Sequence, residues 1–549
     1  GSLADIGRAT LPSQIFSGGI QRIVSHRLSR ISAWARELLN VAAVAGRQID
    51  RKVIAKLAPD IDSEAWIAEC MNAAIFNVAE ETYRFAHDKL REGVLALLTP
   101  EQTRQLNQQV AEAIEATYPD SIDNFALVLA QHWQKADNPQ KEAHYTFIAA
   151  HQTEEAYNHI DSRRLYLRLL ELDAQQYVSN PTQYLAQVYH GIGRAFYGVS
   201  DFNEVKKWQT KSLEMATQAG DIYGIAQAEF ALGEADMRQG NYDSALALTI
   251  ASNEKYQQIG NTKKVAYGFM SIGMIQTRTG NLPEGTKTTE KCLKMMQEFG
   301  DEVAIARAMN NYAICYDNAG NWDRALELYQ ESLAIRRKIN DRSGLSYSLN
   351  NIGALLIDMK RYDEAITYLM DARRYMLPIG EKITIATNAS TIGDLNMQIG
   401  KFDEARRWQL ESLKIRREVQ EKPGIANSYR AMVELELAQN HVPAAWEWQN
   451  QLLAMITPEN DQLFLKTDSM VSALKIFKHT QDHVKALMIA VTIYNDRKTR
   501  NYPVDQWEKD IAELQEKLGD QYDDVRAQAE AETIASIIEK LKNDYQPKS

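Results

Sequence analysis

Small residues recur along the middle of the chain with a constant forty-residue period, the interval from Gly193 to Gly233. They occupy two positions of each period. The first position holds Gly193, Gly233, Gly273, Ala313, Gly353 and Gly393, and the second holds Ala245, Gly285, Ala325, Ala365, Ala405 and Ala445. Small side chains let two helices approach closely, so each period predicts a pair of antiparallel helices. A single pair cannot bury its apolar face alone, and stacked pairs are expected to form a right-handed superhelix.

Residues that tolerate positive φ angles mark the predicted ends of both helices. The first helix is expected to end at Ser200, Gly240, Gly280, Gly320, Lys360 and Gly400, and the second at Gly220, Gly260, Gly300, Asn340 and Gly380. An apolar residue follows the first group at Phe202, Tyr242, Leu282, Trp322, Tyr362 and Phe402. The next residue is acidic in most periods, at Asp243, Asp323, Asp363 and Asp403. We expect these carboxylates to cap the second helix by accepting its free N–H groups.

The first helix of each pair is expected to line the concave groove of the superhelix. Within residues 306–318, Ala306 and Ala313 share the stripe that packs inward, while Arg307 and Asn310 share a stripe about half a turn away. The second stripe is therefore predicted to face the groove. Carried through the period, this stripe and its neighbouring positions give the candidate ligand residues Tyr267, Arg238, Arg278, Arg307, Asn310, Asn311, Tyr347, Asn350 and Asn351.

The chemistry of these residues suits a protein or peptide ligand, and less well a small molecule. Asparagine can donate to and accept from a peptide backbone, and arginine can pair with a carboxylate. An alternative remains open for both residue types. The asparagines could join adjacent helices by hydrogen bonds, and the arginines could form a solvated surface.

Composition narrows the classes of function. The chain has 549 residues, 25% of them charged, and a net charge of −11, which disfavours a broad basic surface for nucleic acid or anionic membranes. Cys70, Cys292 and Cys315 are far apart and predict neither a disulfide framework nor a metal site, which favours a cytoplasmic protein. No apolar run is long enough to span a membrane. No catalytic set is apparent, so we expect no enzymatic activity of this chain.

The first part of the chain has a different pattern. It predicts a helix ending near Gly46, a second after Asp50 and a third over residues 62–74, followed by a hairpin of residues 75–79 and 83–85. Three helices and a hairpin make a winged helix. The third helix carries Asp62, Glu64 and Glu69 and no basic residue, so binding of DNA is disfavoured.

Two resemblances follow from these motifs. Residues 186–455 resemble the tetratricopeptide repeat in its long form, with the small residues and the aromatic residue of that motif. "LPSQIFSGGIQRIVSHRLSRIS", "LLNVAAVAGRQID" and "YRFAHDKLREGVLALLTPEQTRQLNQQVAEAIE" resemble the winged-helix domain of signal-transducing NTPases of the STAND class. The tail "KALMIAVTIYNDRKTRNYPVDQWEKDIAELQEKLGD" is similar to the helical ending of bacterial members with repeat sensors.

The second resemblance implies a nucleotide-dependent switch. His87 and Asp88 in "FAHDK" match the class motif that lies against the bound nucleotide, with the histidine touching the phosphate of ADP. The nucleotide-binding domain of the class would precede residue 3, so ATP, ADP and Mg²⁺ are expected to belong to a parent protein, which the resemblance implies oligomerises when activated. The alternative for this motif is structural: Asp88 caps the helix that begins there, and His87 is partly buried surface.

The predicted domain organisation follows. Residues 1–2 are interpreted as left from cloning, 3–98 as the winged-helix domain, 99–185 as a helical arm with a degenerate helix pair, 186–455 as the repeats, and 456–549 as a helical cap. We predict a mostly all-α sensor that binds a protein or peptide in its groove and relays the event through the winged helix. Two alternatives stay open: a free-standing scaffold or adaptor, and the sensor of a small-molecule-inducible transcriptional regulator.

Overall fold

The computed structural model describes residues 26–79, 82–156, 158–199, 201–457, 463–499 and 504–543. The interpretation of Gly1 and Ser2, the start of the N-terminal domain and the helix end at Ser200 lie outside the described residues. The described chain is mostly helical and contains one two-stranded sheet. It divides after Tyr184 into two compact units.

The N-terminal unit begins with the three predicted helices and the hairpin. They are α1 (Ala33–Ala45), α2 (Arg51–Leu57), α3 (Ser63–Asn72), β1 (Phe76–Ala79) and β2 (Thr82–Phe85). The side chains of Asp50 and Asp62 cap α2 and α3 by accepting backbone N–H groups. Residues 47–49 pair with the outer side of β2, where the Ile49 N–H donates to the Tyr83 carbonyl at 2.8 Å.

A single aromatic cluster forms the centre of this helix and hairpin core. Trp66 of α3 is fully buried, and its indole N–H donates to the Ala35 carbonyl at 3.0 Å. Its ring meets Phe76 edge to face at 5.2 Å, and Phe76 meets Phe85 at 5.1 Å in the same geometry. The hairpin is therefore held on α3 by aromatic contacts as well as by its own ladder.

Helices complete the N-terminal unit. They are α4 (Asp88–Leu95), α5 (Pro100–Thr117), α6 (Ala126–Lys135), α7 (Pro139–Glu155) and α8 (His159–Glu171), with 3₁₀ turns at Pro119–Phe125 and Ala174–Tyr177. Helix α5 starts with a capping box, in which Thr99 and Gln102 satisfy each other's backbone N–H groups.

The second unit consists of helix pairs that recur with the period seen in the sequence. In order they are α9 (Pro181–Gly198), which spans the division, α10 (Phe202–Ala219), α11 (Ile222–Gln239), α12 (Tyr242–Gln258), α13 (Thr262–Arg278), α14 (Leu282–Phe299), α15 (Glu302–Asn318), α16 (Trp322–Lys338), α17 (Arg342–Asp358), α18 (Tyr362–Ile379), α19 (Lys382–Gln398), α20 (Phe402–Glu418), α21 (Lys422–Ala438) and α22 (Val442–Ala454). The predicted helical-repeat architecture is confirmed. We call α9, α11, α13, α15, α17, α19 and α21 the inner helices.

The small residues of each period allow two helices to approach closely, as the sequence pattern predicts. A Cβ atom added at Gly285 of α14 would lie 3.1 Å from the Thr277 backbone nitrogen and 3.2 Å from the Gly273 carbonyl oxygen of α13. Gly273 in turn faces the Gly285 carbonyl, 3.4 Å from its own added Cβ. The two backbones approach so closely that a larger residue could fit only by separating the helices.

The helix ends are also as expected. The φ angles are positive at Gly240, Gly280, Gly320 and Gly400 after the inner helices, and at Gly220, Gly260, Gly300 and Gly380 after the second helices. Asn340 and Lys360 adopt the same left-handed conformation at φ 55° and 59° without the freedom of glycine.

The predicted capping role of the acidic residues is wrong. Asp323 and Asp363 lie inside the first turn of α16 and α18, too far along to be the cap, and Asn321 and Arg361 occupy the cap positions. In the first turn a carboxylate interacts favourably with the positive end of the helix dipole. Carboxylates do cap several inner helices, as at Asp301 and Asp341, and Asp201 caps the second helix α10.

The chain ends in helices that leave the period of the repeats. They are α23 (Leu463–His479), α24 (His483–Thr499), α25 (Asp505–Leu518), α26 (Tyr522–Glu530) and α27 (Ile534–Asn543). They share one large apolar core with α21 and α22, to which Leu487, Ile489 and Ile538 contribute. The buried face of the last repeat is therefore covered rather than left open to water.

Candidate functional site: the groove of the inner helices

One position of the inner helices presents aromatic and cationic side chains in successive periods. Tyr267, Arg307 and Tyr347 occupy it on α13, α15 and α17. Arg307 is exposed, and no hydrogen bond or ion pair of its side chain is found among the described residues. Burial raises the pKa of the Tyr267 phenol, although part of its surface remains accessible.

Tyr347 is both accessible and closely surrounded. Its side chain is 37% exposed, yet burial raises the pKa of its phenol. The hydroxyl donates to Glu381 Oε1 at 2.6 Å and accepts from the Thr384 hydroxyl at 2.7 Å. A ring held in this way is positioned before any ligand arrives, which lowers the entropic cost of a contact to it.

Arg238 lies deeper in the groove. Its Nε donates to the Tyr197 hydroxyl of α9 at 3.3 Å. Tyr197 raises the pKa of the Arg238 guanidinium, and Tyr347 adds to the effect. Arg238 and Tyr347 belong to inner helices three repeats apart, so the superhelix brings opposite walls of its groove near each other.

The predicted asparagines have partners within the chain. Asn310 and Asn350 are 6% and 5% exposed. The Asn351 amide donates to Asn310 Oδ1 at 3.2 Å, and the Asn388 amide donates to Asn350 Oδ1 at 3.1 Å. These bonds link neighbouring inner helices, which agrees with the alternative that the asparagines join adjacent helices. Contact of the asparagines with a ligand stays a prediction.

Three acidic residues of the groove were not among the predicted site residues. Burial raises the pKa of Asp317 to about 6 and that of Asp394 to about 7, and it also raises the pKa of Asp358. Asp358 acts on both neighbours by charge repulsion. The sequence held a signal: Asp358 stands two periods after Arg278, at the same position of the repeat.

Two pairs of the repeat array that are distant in sequence are in contact. Ile383 at the start of α19 packs against the apolar cluster of Phe202, Val205 and Ala235 together with Tyr197. A common cleft nearby is lined by residues of both regions, among them Val199, Asn203, Glu418 and Gln420. The first and sixth pairs therefore touch, although four other pairs separate them in sequence.

The second candidate site lies in the N-terminal unit. His87 is exposed and caps α4, because its Nδ1 accepts the Lys89 N–H at 3.1 Å. Asp88 is also exposed and forms an ion pair with Arg47 at 3.2 Å. The structural alternative for this motif is thus half right: a residue of the pair caps the helix, but it is the histidine.

Other kinds of site find no support in the part of the chain that the structure describes. No group of three or more His, Cys, Asp or Glu side chains there is arranged to hold a metal ion. None of its helices is long and apolar enough to cross a membrane. Cys70, Cys292 and Cys315 are buried free thiols.

Comparisons with known proteins identify the repeats. Two family models described as tetratricopeptide repeat match the chain, one at residues 265–338 and one at residues 345–374 and 389–419. The helix pairs in the middle of the second unit are therefore tetratricopeptide repeats, a fold that serves protein interaction. A search of curated protein sequences finds no match.

A comparison with solved structures finds similar chains at low identity. A signal transduction ATPase with numerous domains and a tetratricopeptide repeat sensor, from Pyrococcus horikoshii, is 11% identical, with a TM-score of 0.39 over 95% of this chain and 67% of that one. A Rap protein complexed with competence and sporulation factor is 13% identical, with a TM-score of 0.49 over 68% and 99%. Aspartyl phosphate phosphatase F from Bacillus subtilis is 12% identical, with a TM-score of 0.38 over 68% and 92%.

Proposed function

We propose that this chain is the ligand-sensing module of a signalling protein and binds a protein or peptide in the groove of its inner helices. One observation carries the proposal. Tyr267, Arg307 and Tyr347 occupy one position on three successive inner helices, and all three keep surface accessible to solvent. A row of aromatic and cationic side chains along a concave wall suits an extended polypeptide better than a compact metabolite.

Arg307 differs in its contacts from the asparagines of the same wall, and this difference favours a binding role for Arg307. Asn310 and Asn350 are buried and bonded between helices. Arg307 is exposed at the same wall and makes no ion pair among the described residues. Tyrosine and arginine are the residues most often found at the energetic centres of interfaces.

The test is peptide binding by paired variants. Peptides selected on the protein from a random phage-displayed library are measured by fluorescence anisotropy. Tyr267→Ala with Arg307→Ala is expected to weaken binding roughly a hundredfold, since two such side chains contribute about 1–2 kcal/mol each. The melting temperature should stay within a few degrees of that of the parent chain.

The matched control removes one aromatic and one cation from an outer surface. Trp322 is 40% exposed at the start of α16, and Arg324 is exposed and paired with Glu327. Trp322→Ala with Arg324→Ala should leave binding unchanged. Equal losses for the two double variants, or a library that yields no binder, would contradict the groove as the binding site.

We further propose that the three helices and hairpin are the winged-helix domain of a STAND NTPase and relay binding to a nucleotide-binding domain of the same polypeptide. His87 supports this role chemically. Its Nδ1 accepts the Lys89 N–H, so a neutral imidazole carries its proton on Nε2. That N–H is available to a phosphate oxygen, because the side chain is exposed.

The relay is tested in the full-length gene product. Purified protein is expected to carry ADP, and His87→Asn should raise nucleotide exchange in the absence of ligand. Asparagine preserves the helix cap and removes the imidazole, so loss of the cap cannot explain the result. His151→Asn, at an exposed histidine of α7, is the control. Absence of bound nucleotide would favour the scaffold alternative.

A further inference from the structure

The groove changes the sign of its charge along the superhelix. One position of the inner helices reads Arg238, Arg278, Asn318, Asp358 and Gln398 from α11 to α19. Arg307 extends the basic part on α15, and Asp317 and Asp394 extend the acidic part on α15 and α19. We call Arg238, Arg278 and Arg307 the basic strip, and Asp317, Asp358 and Asp394 the acidic strip.

The guanidinium groups of the basic strip form no ion pair among the described residues, although the charge of Glu234 contributes to the raised pKa of Arg238. No ion pair of Arg238, Arg278 or Arg307 is found within the described ranges. Other cations of the repeats do form such pairs, as in Lys263 with Asp301 at 3.1 Å and Lys382 with Glu418 at 3.0 Å. Arginines that have no ion pair and lie along one groove can each pair with a carboxylate of a ligand.

The members of the acidic strip are close enough to influence one another's ionisation. Burial raises the pKa of Asp317 and Asp394, and repulsion from Asp358 raises both further. At Asp394 the repulsion from Glu434 is larger than that from Asp358. Asp394 is fixed in place, since Gln409 Nε2 donates to its Oδ1 at 2.7 Å. A carboxylate of a ligand would meet the same repulsion there.

We propose that the groove binds an extended polypeptide segment whose acidic residues lie on the basic strip, and that the acidic strip fixes the direction of the segment by rejecting those residues. This inference rests on the proposed binding of a polypeptide in the groove and adds the charge and orientation of the ligand. The net charge of −11 makes the selectivity sharper, because the remainder of the molecule repels acidic chains.

Arginine geometry supports a carboxylate rather than a backbone contact. A guanidinium forms two parallel hydrogen bonds to one carboxylate, and each such pair contributes to both affinity and register. The members of the basic strip lie on successive inner helices, so only a ligand that runs along the groove can reach one after another. A compact anion such as inorganic phosphate could engage a single member.

The test uses the same phage-displayed library on the intact chain. Selected peptides are expected to be rich in aspartate and glutamate at one end. Arg238→Gln with Arg278→Gln should weaken the selected peptides by roughly tenfold or more, the effect of losing charge-assisted hydrogen bonds. Arg324→Gln with Arg361→Gln, at exposed arginines already paired with Glu327 and Glu364, is the control and should have no effect.

Direction is tested with a selected peptide and its reversed sequence. The parent chain should prefer the selected order, and Asp358→Asn with Asp394→Asn should reduce that preference by raising the affinity of the reversed peptide. Library binders without acidic enrichment, or with equal affinity for the basic-strip variant, would overturn this inference and leave the proposed function intact. A library without binders would overturn both.

Discussion

The two units of the chain bury apolar surface in different ways. The N-terminal helices and hairpin gather around one aromatic cluster, in which Trp66, Phe76 and Phe85 contact in succession. The repeats that precede the C-terminal core have no single centre. Small residues such as Gly273 and Gly285 bring each pair together, and apolar side chains form a series of local clusters along the array.

This difference teaches where a mutation acts. In a single cluster the packing of each side chain depends on the others, so the loss of one ring is expected to destabilise the whole domain. In a repeat array each pair contacts mainly its neighbours, so a defect stays local and its cost is limited by the nearest interfaces. The predictions below test this contrast, beginning with the largest effect.

Trp66→Ala should be the most damaging substitution in the N-terminal unit. It removes a fully buried ring, its hydrogen bond to Ala35 and an edge-to-face contact, at a cost of about 3–5 kcal/mol. Hydrogen exchange should show loss of protection over residues 33–95 while the repeats keep theirs. Trp322→Ala, at an exposed tryptophan, should cost less than about 1 kcal/mol. Similar costs for both would refute the single-cluster account.

Gly285→Val should damage one pair of repeats. The added side chain would press on the backbone of Thr277 and Gly273, at a cost of about 1–3 kcal/mol. Exchange should increase in α13 and α14 and little beyond their neighbours. Glu284→Val places the same side chain at the adjacent exposed position and reports helix propensity alone. Loss of protection across the whole array would show that the repeats are more cooperative than a nearest-neighbour model allows.

Asp394→Asn should stabilise the repeat unit at neutral pH. The pKa of Asp394 is raised to about 7, above its value in the unfolded chain, so folding stability is present at low pH and lost as the pH rises through about 7. At pH 8 the variant should be more stable by roughly 1–2 kcal/mol, because asparagine retains an acceptor for Gln409 without a charge. Thermal melts from pH 4 to 8 should show the advantage disappear on acidification. An advantage that is independent of pH would exclude this cause.

Lys360→Gly should have the smallest effect. Lys360 has a positive φ of 59°, which glycine adopts without strain, so the substitution should stabilise by up to about 1 kcal/mol. Gly320 occupies the same position one period earlier, and Gly320→Lys should cost a similar amount. Denaturant unfolding of both variants measures the two effects. If they have the same sign, backbone strain is not the reason.

The periodic features of the fold could be predicted from the sequence because each arises locally. A helix end needs a residue that tolerates positive φ, and a close helix contact needs a small residue. Each feature can therefore be predicted from the residue type at a single position. Asp243 and its equivalents were misjudged because the cap and the first turn lie so close together. A carboxylate is favourable at either place, so residue type alone does not separate the two.

Contacts between different helix pairs in the groove could not be predicted in this way. Inner-helix periodicity located Arg307 and Tyr347 on an accessible wall, but it could not tell that Asn310 bonds to Asn351 of the next inner helix. That contact depends on how far one pair rotates against the next. The packing of Ile383 on Phe202 depends on the sum of these rotations over the array, and the local sequence pattern carries no information about that sum.

The contact of Ile383 with the first repeat joins two turns of the coil by apolar packing. A coil whose successive turns touch resists shortening by steric repulsion and resists lengthening by the loss of apolar contact. An occupant thin enough for the groove would therefore leave the coil unchanged, whereas a thicker one would have to break this apolar contact and move the first and sixth pairs apart.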